Sequence, residues 1–347
     1  MALLLKANEL VGLISLEEAI EAVRLGYRDQ GEAPAYSAPR SRMQHEDRRV
    51  TVHSGGCCNL EVAGTFIHVE RFTFHGGAQQ YAGAGKRVYV VYDSETAALR
   101  TIIVGSLPLF DFEPEEDWYG TETPITSAVG TNLLARPDSR ILGLYGTGRQ
   151  ARRHLITHCT THPIEEVRVY SRSEENRAAF IRQMQPLTNA RLKAVDAPEA
   201  VAEGADIICC ATGSNVPVLK GEWLEPGQHV TSIVNSNKGV KEQAGLKARR
   251  RELDDDVVAR SDVILTVLTE QAIIDEHGDL FEPVERGLVS WDDMCQLSEI
   301  LTGQAEGRTS DDQITLFKQN SDQGVGYMAL GKLAHDKAVE AGIGMEI

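Results

Sequence analysis

Ser139-Arg140-Ile141-Leu142-Gly143-Leu144-Tyr145 runs directly into Gly146-Thr147-Gly148-Arg149-Gln150-Ala151-Arg152-Arg153-His154-Leu155. An apolar run of strand length meets a glycine turn and then helix-forming residues, the order that a dinucleotide-binding βαβ unit requires. Gly146 permits the tight turn, Gly148 lets the backbone approach a pyrophosphate, and Ala151 stands where Gly or Ala allows a helix to pack closely on its strand. Free N–H groups at the helix start supply an anion site. Gly146, Thr147, Gly148, Arg149 and Gln150 are therefore read as phosphate-binding residues. One helix length later, Val167-Arg168-Val169-Tyr170 reads as a second strand, closed by Ser171-Arg172-Ser173. An NAD site places Asp or Glu at this strand end for the ribose 2′-OH, whereas Ser171 and Arg172 suit a 2′-phosphate. The expected cofactor is NADP(H), with NAD(H) second.

Outward from this unit, strands alternate with helices. Apolar runs at 191–195, 206–211, 230–234 and 262–267 follow, with a helix opened by Asp196 and Pro198. The expected fold class is α/β: a doubly wound parallel Rossmann sheet of six strands beside a smaller α+β domain. Toward the N-terminus, Ser15 with Glu18 forms a capping signature for an amphipathic helix ending near Gly26 or Gly31. Residues 36–101 change to short β-rich runs between glycine loops, which fits an antiparallel or mixed sheet. Residues 110–120 are acidic and aromatic without periodicity and read as a loop, 126–135 as a helix. A terminal helix at 325–341 is expected to return onto the first domain. The expected boundaries are 1–121 with 318–347 for a substrate-binding and dimerising domain, and 122–317 for the cofactor domain.

The bulk numbers narrow the function. A chain of 347 residues with 42% hydrophobic and 25% charged residues has the composition of a globular protein with room for two cores. A net charge of −16 leaves no basic stripe to neutralise phosphates, so no nucleic-acid partner is expected. No apolar run reaches membrane-spanning length and the apolar start is too short for a signal sequence, so no membrane partner and a cytoplasmic location are expected. Cys57-Cys58 and Cys209-Cys210 are adjacent pairs without C-x-x-C spacing, and no H-E-x-x-H pattern occurs, so buried thiols and no metal are expected.

Several further elements keep one family's order: Leu134-Ala135-Arg136-Pro137-Asp138, Ala205-Asp206-Ile207-Ile208, Ala211-Thr212, Pro217-Val218-Leu219, Gly221-Glu222-Trp223-Leu224, Pro226-Gly227, Arg251-Glu252-Leu253-Asp254 and Asp312-Gln313-Ile314-Thr315-Leu316-Phe317. Together with the glycine turn, they make the chain resemble the ornithine cyclodeaminase and mu-crystallin family over nearly its whole length. The resemblance implies a homodimer, a Rossmann domain beside a substrate domain, and a small-molecule substrate. It places Arg172 at the adenine ribose, Thr212 and Ser214 along the nucleotide, and Ser232 to Val234 near the nicotinamide. Strand 87–92 is expected to form a sheet edge that a partner's strand closes.

On the substrate side the resemblance implies carboxylate-binding arginines, matched by Arg40 or Arg42 and by Arg71; guanidinium forks suit carboxylates. A third family arginine is replaced by Glu122, which binds a substrate cation, acts as an acid, or faces solvent as a loop residue. The catalytic Asp of cyclodeaminases is replaced by Ser236, and Lys238 follows it. His68 and His75 are further candidates for the pocket. The leading reading is an NADP(H)-dependent oxidoreductase that reduces a C=N bond in an imine, ketimine or imino acid. The alternatives are a cyclodeaminase-like lyase with bound NAD and a mu-crystallin-like NADPH binder without turnover.

Overall fold

The computed structural model describes residues 2–33, 36–75, 78–114, 119–234, 248–319 and 322–347, with only the backbone described at 36, 72, 74–75 and 78–84. Helix α1 (Leu16–Glu32) begins as its capping signature requires: Ser15 Oγ accepts from the Glu18 N–H at 3.1 Å, and Glu18 Oε2 accepts from the Ser15 N–H at 3.0 Å. It passes both expected stops. At Gly26 a Cβ would stand 3.0 Å from the Ala329 Cβ of the C-terminal helix, so close helix packing offsets the cost of about 1 kcal/mol that glycine carries inside a helix.

The first sheet is built from β1 (Leu3–Lys6), β2 (Tyr36–Ser37), β3 (Ser41–His45), β4 (Arg48–Cys57), β5 (Val62–His75), β6 (Ala78–Ala84), β7 (Val88–Asp93) and β8 (Leu99–Val104). Its order is β1-β8-β7-β5-β4-β2, with β3 on β4 and β6 on β5; β1 and β8 are parallel and the other pairs antiparallel. Strand β7 is thus interior, and the expected edge at 87–92 is corrected: β5 and β8 pair with it on both sides. Alternation divides the two faces. Val52, Ile67, Val88 and Val104 form one cross-strand row that is only half-buried, while Arg49, His68, Glu70, Arg87 and Tyr89 point the other way, toward the rest of the molecule.

The second sheet contains β9 (Ile141–Tyr145), β10 (Glu166–Tyr170), β11 (Arg191–Ala194), β12 (Ile207–Cys210), β13 (His229–Ser232), β14 (Val263–Thr266), β15 (Met294–Gln296) and β16 (Thr315–Lys318). All pairs are parallel, in the order β11-β10-β9-β12-β13-β16-β14-β15. Eight strands replace the expected six. The fully buried β16 inserts beside β13 and displaces β14 outward, and β15 is too short to show a pattern in sequence. Lys318 closes β16, so the expected boundary at 317/318 falls inside a strand.

Helix α2 (Glu122–Leu134) starts four residues before the expected position and lies between α1, α3 (Arg149–Thr161) and the second sheet. His154 of α3 reaches Ser127 Oγ of α2 at 2.9 Å. Later crossovers use α4 (Glu174–Met184), α5 (Glu199–Ala202), α6 (Asp255–Ala259), α7 (Thr269–Ile274), α8 (Gly278–Glu285) and α9 (Leu297–Leu301). The terminal helix α10 (Gly324–Ala341) packs on α1, β4 and β5, and β17 (Met345–Glu346) then pairs with β1. Among the described residues no helix is long and apolar enough to cross a membrane.

Candidate active site

The glycine turn lies at the carboxyl ends of β9 and β12. Gly146 takes φ +115, its N–H donates to Tyr170 O at 2.8 Å, and a Cβ there would stand 2.3 Å from Ala211 O. The protein's own packing demands glycine at that position. Gly148 differs: a Cβ would meet nothing within 4 Å, and the residue lines a cleft of about 400 Å³. A glycine that the fold does not need, at the open N-terminus of α3, fits a ligand whose phosphates approach the backbone closely.

Helix α3 also holds Glu113, Tyr119 and Gly120 of the segment between β8 and α2. Fully buried Arg153 donates from Nε to Glu113 Oε2 at 2.7 Å and from a terminal nitrogen to Tyr119 O at 2.9 Å. Gln150 Nε2 donates to Gly120 O at 2.8 Å, and Arg149 bonds the Tyr119 hydroxyl while stacking 3.5 Å over its ring. These three residues are fixed by contacts from a distant helix rather than by local propensity.

Beside the turn, a buried ionic clasp ties the strand ends together. Lys318 Nζ pairs with Asp279 Oδ2 at 2.6 Å, both fully buried, and donates to Ser232 Oγ at 2.8 Å and Val234 O at 3.2 Å. The Ser232 hydroxyl stands 2.9 Å from Asp279 Oδ2 and 2.9 Å from Glu252 Oε2. Glu252 accepts from the backbone N–H groups of Thr212, Ile233 and Val234, while Asp279 Oδ1 accepts from the N–H groups of Glu252 and Leu253. Burial pushes Asp279 up, but Lys318 outweighs it and holds the carboxyl below its ordinary range. The loops after β12 and β13 are thereby shaped by one carboxylate, that of Glu252.

Across the cleft stands an arginine wall. Glu70 pairs with Arg49 at 2.7 Å, with Arg87 at 3.5 Å and with His68 Nδ1 at 3.2 Å. Burial raises Glu70, but the His68 bond and the Arg49 charge pull it down to about 2. Arg40 and Arg42, on and beside β3, both reach Asp275 at the end of α7; the Arg42 contact is 2.9 Å. Two carboxylates thus face four guanidinium groups, leaving an excess of positive charge suited to an anionic ligand.

The remaining wall is acidic. Glu122, 2% exposed at the start of α2, accepts a hydrogen bond from the Tyr89 hydroxyl. Asp322, 4% exposed in the segment before α10, accepts from Thr123 Oγ1 at 3.2 Å and Gln319 Nε2 at 3.0 Å. Burial, with the nearby Glu122 charge, pushes Asp322 up to about 6. Phe66 stacks on Tyr327 at 4.1 Å and, with His53, closes the cleft floor with apolar surface.

Of the residues named from sequence, Arg40, Arg42, His68, Glu122, Gly148, Arg149, Gln150, Thr212 and Val234 line this one cleft. Gly146 and Thr147 form the turn behind it. Ser171 and Arg172 lie past β10, where the Ser171 hydroxyl donates to Ser173 O at 3.2 Å and Arg172 is exposed. Ser214 braces its own loop by donating to Val216 O at 2.7 Å, and Ser232 turns into the clasp rather than toward the cleft. Arg71 is corrected: alternation on β5 points it to the opposite face from His68 and Glu70, 60% exposed and paired with Asp47 at 2.8 Å. Glu122 is no solvent-facing loop residue, since it starts a helix and is buried. Ser236 and Lys238, and the His75 side chain, lie outside the described residues. Sequence reasoning missed Arg49, Arg87, Glu70 and Asp322; the period-two parity of β4, β5 and β7 was the available signal for the first three.

Comparison with known proteins shows the family of the chain. The profile of the ornithine cyclodeaminase/mu-crystallin family matches residues 120–340. A Delta(1)-pyrroline-2-carboxylate reductase of Bacillus cereus is 30% identical over 280 residues, covering 78% of this chain and 82% of that protein. A second, from another strain of Bacillus cereus, is 26% identical over 354 residues and covers 99% of each chain. The solved structure of Thermococcus litoralis Delta(1)-pyrroline-2-carboxylate reductase in complex with NADH and L-proline superposes with a TM-score of 0.81 at 25% identity, covering 99% of this chain and 100% of that one.

Lys318→Met is expected to leave two buried carboxylates without their cation and to cost about 3–5 kcal/mol of stability. Urea unfolding of the variant beside the wild type measures this, and a loss under about 1 kcal/mol would contradict the clasp.

Proposed function

The chain belongs to the ornithine cyclodeaminase/mu-crystallin family, and from that premise we propose that it is an NADP(H)-dependent oxidoreductase that reduces the C=N bond of a small imino acid. One observation carries the reading: a single cleft holds Gly148 and Val234 on one wall and the arginine wall around Glu70 on the other, so a hydride donor and a carboxylate-bearing acceptor meet in it. The names of the relatives as imino-acid reductases support the substrate class. When bound, the nicotinamide supplies the hydride chemistry. The N–H groups at the start of α3 hold phosphates, the clasp orients Ile233 and Val234, the arginine wall fixes a carboxylate, and Phe66 with Tyr327 excludes water. In this division of labour the first sheet with α10 binds the substrate, and the second sheet, with Lys318 at the end of β16, binds the cofactor.

Wild-type protein is expected to oxidise NADPH with cyclic imino acids such as Δ1-pyrroline-2-carboxylate, and to form no proline from ornithine with NAD⁺. The position that resembles the cyclodeaminase Asp is Ser236, whose hydroxyl is no base at neutral pH. Stoichiometric proline and ammonia from ornithine would overturn the reading.

Arg172, exposed past β10, is proposed to pair with a 2′-phosphate. NADPH should then bind at least about tenfold tighter than NADH, and Arg172→Ala should erase the difference, the scale of one charge-assisted pair. Equal affinities in the wild type by fluorescence titration would refute it.

We also propose a homodimer, formed through the half-buried Val52, Ile67, Val88 and Val104 row and the exposed Val69 beside it. Such a contiguous apolar sheet face is what a second copy covers. Light scattering should give twice 38.0 kDa, and Val88→Glu should give the monomer; a monomeric wild type at micromolar concentration would contradict this.

A further inference from the structure

We propose that Asp322 is the acid that protonates the imine nitrogen, and that Glu122 is the positioning residue whose nearby carboxyl favours its protonated form. This rests on the imine-reducing reading. Glu122 and Asp322 come from different elements, α2 and the segment before α10, and both line the cleft that Val234 lines. Thr123, the neighbour of Glu122, donates to Asp322 Oδ2. Among the described residues neither carboxyl has an ion-pair partner.

The protonation states follow from their neighbours. Burial, with the Glu122 charge, holds Tyr89 far above its ordinary value, so its hydroxyl keeps its proton and donates to Glu122. Burial beside a second carboxyl lets Asp322 keep its proton to higher pH than an ordinary aspartate, so it is the carboxyl that can give one up. The other groups facing Asp322 supply no positive charge. Tyr327 of α10 and Tyr27 of α1 hold their protons, and His53 of β4 is kept neutral by burial and by Arg40 while its Nδ1 donates to the Asp322 carbonyl at 3.1 Å.

Reduction adds a hydride to the imine carbon and a proton to its nitrogen, and the cofactor leaves oxidised. The Asp322 O–H bond breaks, the N–H bond forms, and water returns a proton to the aspartate. The arginines across the cleft cannot take this role, because a guanidinium holds its proton too firmly to give it up. An acid titrating close to the working pH transfers its proton efficiently.

The test combines carboxyl ¹³C NMR of aspartate-labelled protein with the pH profile of kcat/KM for NADPH and Δ1-pyrroline-2-carboxylate. One aspartate should titrate near pH 6 in the wild type, be absent in Asp322→Asn, and move down by about one unit in Glu122→Gln. In turnover, the fall in rate above that pH should move to lower pH in Glu122→Gln, and Asp322→Asn should lose about 10²- to 10⁴-fold with no such fall left. An unchanged profile in both variants, or no aspartate titrating above about pH 5, overturns the proposal; should Asp322→Asn fail to fold, Glu122→Gln alone decides by the same two readouts. A wild type inert toward every imine yet showing the titration overturns the reductase reading and the donor role, and leaves the coupled acid pair standing.

Discussion

Lys318 against Asp279, with Glu252 bound through Ser232, is the interaction on which the ligand-facing parts depend. Buried ion pairs contribute little net stability, since desolvation consumes most of the attraction, but removing one partner is costly. Their use here is geometric. Glu252 accepts the backbone N–H groups of Thr212, Ile233 and Val234, so two loops at the carboxyl ends of β12 and β13 take one shape. Doubly wound sheets bind ligands at that edge. Arg250 adds a second brace, donating to Gly213 O at 2.9 Å and Asn215 Oδ1 at 2.9 Å.

The cleft then works through opposed charge. Glu70 and Asp275 orient four arginines without neutralising them, while Glu122 and Asp322 line the same cleft beside Phe66 and Tyr327. A carboxylate at one end and a nitrogen that gains a proton at the other complement this polarity. Asp275 has a further role: it belongs to the second sheet's crossover but grips Arg40 and Arg42 of the first domain, with Gln271 Oε1 accepting the Arg40 N–H at 2.7 Å. The two walls are held in register by that contact.

How far these features can be read from sequence depends on how local their causes are. The Gly146 turn, the Ser15–Glu18 cap and the parallel order of the second sheet rest on short-range sterics and period, and all are legible. The position of β16 is not, because its insertion next to β13 is a matter of tertiary order. Arg71 and Glu70 differ only in strand parity, and β5 carries apolar residues on both faces, Phe66 and Ile67 among them, which weakens the alternation that would separate the two. Glu122 is visible as a departure from the family pattern, yet its partner Asp322 sits in a segment without periodicity. The clasp is the least legible part: Ser232, Glu252, Asp279 and Lys318 are far apart in the chain, and each looks like an ordinary surface residue until the fold buries it.

The most direct measurement is a crystal structure with NADP⁺ and L-proline bound. It should show the pyrophosphate at Gly148, the nicotinamide against Val234, the proline carboxylate within about 3 Å of the arginines around Glu70, and its nitrogen toward Asp322. A carboxylate held outside this cleft, or a cofactor bound away from residues 146–150, would contradict it.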